Sequence, residues 1–180
     1  MPRLIKNGAV VEDRWTLLRE AASLAELPAG IPVIVPLALW RTERAARSER
    51  GEVGVWLKPD DEPEALAEDI AMLPLIAIDF PKFTDGRGYS IAQLLRTGHR
   101  FTGELRAIGD VLRDQLYYMR QCGFDAFAVR ADKSLEDALQ ALSDFSDGYQ
   151  ATVREPIPLF RRRTSPGLVR ETSPAANDPS

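Results

Sequence analysis

From Val53 onward this 180-residue chain alternates apolar segments with amphipathic ones, and this alternation limits the possible folds most. Apolar runs such as "VGVWL" and "LIAIDF" have the composition of buried strands. Alternating strands and helices form parallel β-α-β units, so the sequence predicts an α/β fold with a mainly parallel sheet of about five strands. Both an open doubly wound sheet and an incomplete β/α barrel fit this pattern. The second would leave open edges, which a homodimer would cover.

The two ends of the chain differ in character from this central region. The opening "RLIKNGAVVEDRW" predicts an N-terminal β-hairpin within residues 3–15, with Asn7-Gly8 at its turn. A short helical pattern follows from Leu17 to Leu27, and "PVIVPLALW" then has the composition of a buried strand. The final stretch "RRRTSPGLVRETSPAANDPS" has no apolar periodicity. We therefore expect a single α/β domain over residues 1–160 and a disordered C-terminal tail over residues 161–180.

Several helices have recognisable ends. Ser90 and Gln93 fit a capping box, which predicts that a helix begins at Ser90. Ser134 and Asp137 predict a second capped helix start. Gly123 is expected to end the helix "VLRDQLYYMRQCG" in the left-handed conformation. The segment "DEPEALAEDIAML" also predicts a helix, with a proline near its first turn.

Charge and hydropathy exclude several classes of protein. The net charge of −4 argues against a nucleic-acid-binding protein, which usually has a basic face. No apolar run approaches the roughly 20 residues that a membrane-spanning helix needs. The N-terminal segment has neither the apolar core nor the cleavage site of a signal peptide, so we expect a cytoplasmic protein.

The chain has one cysteine, Cys122, and one histidine, His99. A single cysteine cannot form an internal disulfide or hold an iron–sulfur cluster, which needs about four thiolates. A zinc site built on several histidines and cysteines is excluded for the same reason, and no metal site is predicted. Cys122 is expected to pack at a helix end, because a free cysteine behaves as a small apolar residue.

The stretch "FPKFTDGRGYSIAQLLR" places two glycines and an arginine between a strand and a helix. Glycines at a helix N-terminus allow an anion to approach the backbone N–H groups, and Arg87 adds a forked positive charge. The loop is therefore a candidate site for a phosphate, sulfate or carboxylate. The alternative is a tight connection that a contact between Asp85 and Arg87 closes. The anion-binding candidates are Lys82, Asp85, Gly86, Arg87, Gly88, Tyr89, Ser90 and Arg113.

Polar residues also follow the predicted strands, with Asp79 near the end of one and Asp110 at the end of the next. Ligands of parallel α/β proteins gather at the carboxyl ends of strands. Two neighbouring carboxylates can act as acid and base if their environments separate their pKa values. Asp79 and Asp110 are therefore candidate catalytic residues. For Asp110 the alternative is a structural role, in which it pairs with Arg113 at the start of a helix.

Three segments resemble the bacterial family known as domain of unknown function 934: "FPKFTDGRGYSIAQLLR", "GELRAIGDVLRDQLYYMRQCGFDAFAVR" and "ALSDFSDGYQ". The similarity covers most of Val33 to Gln150. The resemblance implies a link to sulfite reduction, because genes of this family often neighbour those of sulfite reductase and phosphoadenylylsulfate reductase. It implies no catalytic residues. Nothing in the sequence indicates a flavin, nicotinamide or siroheme site, so the cofactor is left undetermined.

These inferences lead to three hypotheses. The first is an accessory protein of assimilatory sulfate and sulfite reduction, which binds a sulfur oxyanion or a partner reductase through the loop 85–90. The second is an enzyme that uses Asp79 or Asp110 for proton transfer. The third is an adaptor that binds only protein, with the loop as its interface.

Overall fold

Eight strands in a single sheet dominate the computed structural model, which describes residues 2–20, 23–25, 27, 30–43 and 52–143. The strands are β1 Arg3–Lys6, β2 Ala9–Glu12, β3 Thr16–Leu17, β4 Val33–Pro36, β5 Val53–Leu57, β6 Leu75–Phe80, β7 Glu104–Gly109 and β8 Ala126–Phe127. The α-helices are α1 Leu37–Thr42, α2 Arg87–Gln93, α3 Leu116–Cys122 and α4 Leu135–Ser143. Helix α2 continues as a π-helical turn over Leu94–Gly98. The α/β class predicted from the sequence is confirmed.

The order of the strands is β2-β1-β8-β7-β6-β5-β4-β3. From β3 to β8, each strand pairs in parallel with the next strand along the chain. Strand β1 then pairs antiparallel with both β8 and β2. The prediction of a mainly parallel sheet of about five strands was therefore wrong: the sheet is mixed and has eight strands. The antiparallel part arises because the N-terminal hairpin joins the parallel strands instead of standing apart.

The parallel strands are wound in one direction, as they are in a β/α barrel. Right-handed crossovers between successive neighbouring strands place their connections on the same face of the sheet. A doubly wound sheet reverses direction and is excluded by this order. The sheet is curled but open, and its outer strands β2 and β3 do not pair with each other. We call the face away from the helices the inner face.

Two apolar clusters lie on the two faces of the sheet. The larger cluster joins one face of the strands to side chains of all four helices. The smaller lies on the inner face and contains no helical residue: its members are Trp15, Ile34, Trp56, Leu75, Ala77 and Ile108. The inner face also holds a buried ion-pair network, in which Arg106 contacts Asp13 and Glu104 at 2.9 and 2.6 Å. The inner face is thus filled by side chains of the chain itself.

Four local predictions are confirmed. The hairpin turn has positive φ angles at Asn7 and Gly8, as the Asn-Gly pair predicts. Gly123 follows α3 with φ +111°. The Asp137 amide donates to Ser134 Oγ at 3.1 Å, at the start of α4. Cys122, at the end of α3, is buried.

Other local predictions were wrong. The helical pattern from Leu17 to Leu27 begins within strand β3. The apolar run "PVIVPLALW" is a strand only as far as Pro36 and then becomes α1. The segment 63–72 forms two 3-10 turns and not an α-helix. Its buried residues Pro63, Leu66 and Asp69 recur every third position, which matches three residues per turn, and Asp69 accepts a hydrogen bond from Trp40.

Some predictions fall outside the described residues. These are the tail 161–180 and the preceding part of the expected domain, residues 144–160. Within the described part of the chain, no helix has the length and apolar character needed to cross a membrane.

Two glycines with positive φ, Gly8 in the hairpin turn and Gly109 at the end of β7, test how closely the ends of β6 and β7 are packed. Gly8 has open space where a Cβ would lie, whereas a Cβ on Gly109 would lie 2.5 Å from the Phe80 carbonyl oxygen. We expect Gly8→Ala to lower the free energy of unfolding by about 1–2 kcal/mol, from the left-handed backbone alone. Gly109→Ala should lower the free energy of unfolding by clearly more, because the added Cβ would also push the ends of β6 and β7 apart. Urea unfolding of both variants measures this difference, and equal losses would contradict the contact.

Candidate functional site

The candidate site lies at the carboxyl ends of β6 and β7, where Phe80 is paired with Gly109. The loops that follow these two strands therefore begin side by side. The Asp110 amide donates to the Phe80 carbonyl oxygen at 2.7 Å. In return, Asp110 Oδ2 accepts a hydrogen bond from the Phe83 amide at 2.9 Å. Asp110 thus connects the two loops directly.

Asp110 also contacts the loop after β8. Its Oδ1 accepts a hydrogen bond from Arg130 Nη1 at 2.9 Å, while Asp132 accepts from the other side of the same guanidinium. The Arg130 hydrogen bond, with that of the Phe83 amide, holds the pKa of Asp110 below its ordinary value. Both oxygens of an ionised carboxylate are therefore occupied. These contacts favour a structural role for Asp110 over proton transfer.

Arg87 lies between two carboxylates. Its Nε donates to Asp85 Oδ1 at 3.0 Å and its Nη2 to Asp85 Oδ2 at 2.7 Å, while Nη1 contacts Asp60 in the loop after β5. The hydrogen bonds from Arg87 lower the pKa of Asp85. One positive charge thus meets two negative charges from the chain itself. The contact between Asp85 and Arg87, which closes the loop in the alternative interpretation, is present.

Helix α2 begins at Arg87, three residues before the predicted start at Ser90. The N-cap residue is Gly86, which has no side chain to cap the helix, and Asp85 just before it accepts the backbone N–H of Arg87 at 3.1 Å. This contact satisfies one of the N–H groups that a helix start leaves unpaired. The two glycines differ in their surroundings. A Cβ on Gly88 would lie 2.6 Å from the Phe80 ring, whereas Gly86 has open space. Gly88 is therefore needed for helix packing.

The remaining candidate residues do not form one cluster. Arg113 pairs with Asp137 of α4 at 2.6 Å, and not with Asp110. The Lys82 side chain is exposed and forms no ion pair with any residue that the structure describes. Tyr89 packs on Phe80 and on Tyr118, with ring centroids 5.3 and 4.9 Å apart.

Sequence reasoning missed Phe83, which is 52% exposed although its backbone is held on both sides. Its amide donates to Asp110, and its carbonyl oxygen accepts from Gln115 Nε2 at 2.6 Å. The same Gln115 amide lies 3.3 Å from the Tyr89 hydroxyl. We call Phe83, Tyr89 and the 54% exposed Tyr118 the aromatic patch. The only sequence signal was an aromatic residue inside the polar loop "PKFTDG".

Asp79, the other catalytic candidate, lies on the opposite face of the sheet. Strand residues alternate between faces, so Phe80 contacts α2 while Asp79 points to the inner face. There Asp79 Oδ1 lies 2.7 Å from Arg19 Nη1. The structure therefore does not bring Asp79 together with Arg87. Sequence reasoning also missed the residues near it on the inner face, Arg19, Trp56 and Lys58.

The fold and site describe an α/β protein with a curled open sheet, whose carboxyl-edge loops are held together by acidic residues. Comparison with family models matches residues 54–160 to the family described as "Bacterial protein of unknown function (DUF934)". This match covers more than half of the chain, and the protein belongs to this family, as the resemblance of its motifs predicted. The family description assigns no activity. A search of curated proteins found no match.

The role of Asp110 can be tested by its pH dependence. A carboxyl group whose pKa is lowered by folding stabilises the protein above its unfolded pKa, near 3.8, and loses this effect as the pH falls through the folded value. Asp110→Asn should therefore be less stable than wild type at pH 7, with the difference shrinking below about pH 3.8. Urea unfolding over a pH series measures this.

Asp114→Asn is the control, because Asp114 is an exposed acid in the adjoining turn without an ion pair to another described residue. It should stay close to wild type throughout the series. An Asp110→Asn variant as stable as wild type at pH 7 would contradict the anchoring role.

Proposed function

We propose that this protein is an accessory protein of assimilatory sulfate and sulfite reduction, which binds a partner reductase through the loop 80–90. The link to sulfite reduction comes from the family resemblance. One observation supports protein binding. The ring of Phe83 is exposed to solvent, while the backbone of the same residue is held by hydrogen bonds to Asp110 and Gln115.

The charge of the loop favours a protein partner over a sulfur oxyanion at this place. The loop 80–90 contains two cations, the exposed Lys82 and Arg87. Arg87 is the one at the start of α2, where an oxyanion was expected, and its guanidinium already contacts Asp85 and Asp60. An anion would have to displace one of these carboxylates and would meet the repulsion of the other. A protein partner need not displace either carboxylate, because it would contact the ring of Phe83 and the other exposed side chains of the aromatic patch.

A rigidly held aromatic side chain is well suited to recognition. Aromatic residues supply much of the binding energy at protein interfaces, since they bury a large area with few rotatable bonds. Holding the backbone in advance reduces the entropy lost on binding. The aromatic patch provides two such exposed rings, Phe83 and Tyr118. The acidic residues Asp85 and Asp110 then hold the loop in the conformation that exposes Phe83.

The test is direct binding of the purified protein to immobilised sulfite reductase and phosphoadenylylsulfate reductase. Phe83→Ala should weaken binding to the true partner by at least about tenfold, the effect of losing one interface hot spot. Met72→Ala is the matched control. Met72 is 74% exposed and precedes β6, whereas Phe83 follows it, so the two apolar side chains lie at opposite ends of one strand.

Wild-type affinity in Met72→Ala together with weaker binding in Phe83→Ala would support the aromatic patch as the surface that binds the reductase. Equal losses in both variants would contradict it. Absence of binding to either reductase by the wild-type protein would contradict the proposed function itself.

A further inference from the structure

We propose that a pocket at the carboxyl edge of the sheet, between α1 and Trp56 of the inner face, binds a small organic anion at a site separate from the aromatic patch. The pocket has a volume of about 490 Å³ and opens at the carboxyl ends of β4 and β5. Its lining includes Arg19, Glu20, Pro36, Leu39, Trp56 and Lys58. In sheets wound in one direction, as in β/α barrels, this end of the strands is where ligands bind.

Two cations meet at the Trp56 ring in this pocket. The Arg19 guanidinium carbon lies 5.2 Å from the ring centroid and Lys58 Nζ lies 5.9 Å from it. The Lys58 ammonium forms no ion pair with another residue of the described chain. Its charge is therefore available to a ligand. The Trp56 ring is in turn fixed, because its Nε1 donates to the Leu18 carbonyl oxygen at 2.9 Å.

Asp79 holds the second cation in place. Its Oδ1 lies 2.7 Å from Arg19 Nη1, and its side chain is only 12% exposed. This oxygen is buried, and the ion pair with Arg19 Nη1 is the contact that compensates its charge; one such contact leaves the other N–H groups of the guanidinium, which has five. Arg19, whose side chain is 46% exposed, thus retains hydrogen-bond donors for an oxyanion. Asp79 is a positioning residue in this site.

The charges of the pocket limit the ligand. Asp79, which does not line the pocket, compensates the charge of Arg19, whereas Lys58 has no carboxylate partner among the described residues. One uncompensated cation suits a ligand with a single anionic group, and the carboxylate of Glu20 in the same lining disfavours a pyrophosphate or other polyanion. The walls formed by Pro36, Leu39 and the tryptophan are apolar, so they suit an organic body. The ligand class is therefore an organic molecule with one carboxylate, phosphate or sulfate group.

The experiment is calorimetric titration of the full chain with benzoate and adenosine 5′-monophosphate as probes. Their uncharged counterparts, benzyl alcohol and adenosine, test whether the anionic group is needed. Inorganic phosphate tests whether the anion alone is sufficient. We expect saturable binding of at least one organic anion, with its uncharged counterpart and inorganic phosphate each at least about tenfold weaker.

Two variants locate the site. Lys58→Met keeps the length of the side chain, removes the charge and should weaken binding at least about tenfold. Arg19→Gln should do the same, although it leaves Asp79 buried and must be checked by thermal unfolding. The matched control is Arg14→Gln. Arg14 also lies against a tryptophan, 5.7 Å from the Trp15 centroid, and pairs with the exposed Glu52, but it does not line this pocket.

The control Arg14→Gln should bind the probe within about twofold of wild type, and so should Phe83→Ala, because Phe83 does not line the pocket. Three results would overturn the proposal: no saturable binding of any organic anion, undiminished binding in Lys58→Met, or an equal loss in Arg14→Gln. None of these results bears on the reductase interface, which the Phe83 and Met72 variants test separately.

Discussion

The pairing of each strand from β3 to β8 with its neighbour along the chain is the constraint on which the rest of this structure depends. It places the helices on one face and leaves the other face for the chain's own side chains to fill. Trp15, Trp56 and the buried Arg106 network occupy that face. The pocket beside Trp56 lies where this face meets α1, at the carboxyl ends of β4 and β5.

The same strand order explains why the loops after β5, β6, β7 and β8 lie next to one another along one edge of the sheet. Loops that follow neighbouring parallel strands emerge side by side, and here acidic residues connect each one to the next. Asp60 joins the β5 loop to Arg87, while Asp110 joins the β6 loop to Arg130 after β8. Charged residues that suggest a ligand site in the sequence thus contact other residues of the chain and hold the loops together. The exposed Phe83 ring depends on this order.

The sequence predicts those features that depend on neighbouring residues. The strands Val53–Leu57 and Leu75–Phe80, the Asn7-Gly8 turn and the Ser134 cap are local features that were correctly predicted, whereas the helix expected at Ser90 begins at Arg87. Side-chain partners distant in sequence could not be predicted in this way. Arg87 looked available for an anion because its contact with Asp60 joins residues that the tertiary fold alone brings together. Arg19 and Lys58 were missed for the same reason, since only the curled sheet places both against Trp56.

The antiparallel contact between β1 and β8 has a consequence for the order of folding. Every parallel pair joins consecutive strands, and the hairpin of β1 and β2 forms from adjacent residues. The pairing of Ile5 with Phe127, by contrast, joins strands from opposite ends of the described chain. Such a contact has the greatest loop-closure entropy of the sheet. During synthesis the hairpin therefore emerges before β8 and can dock on it only after β8 has emerged, so the contact between Ile5 and Phe127 forms late.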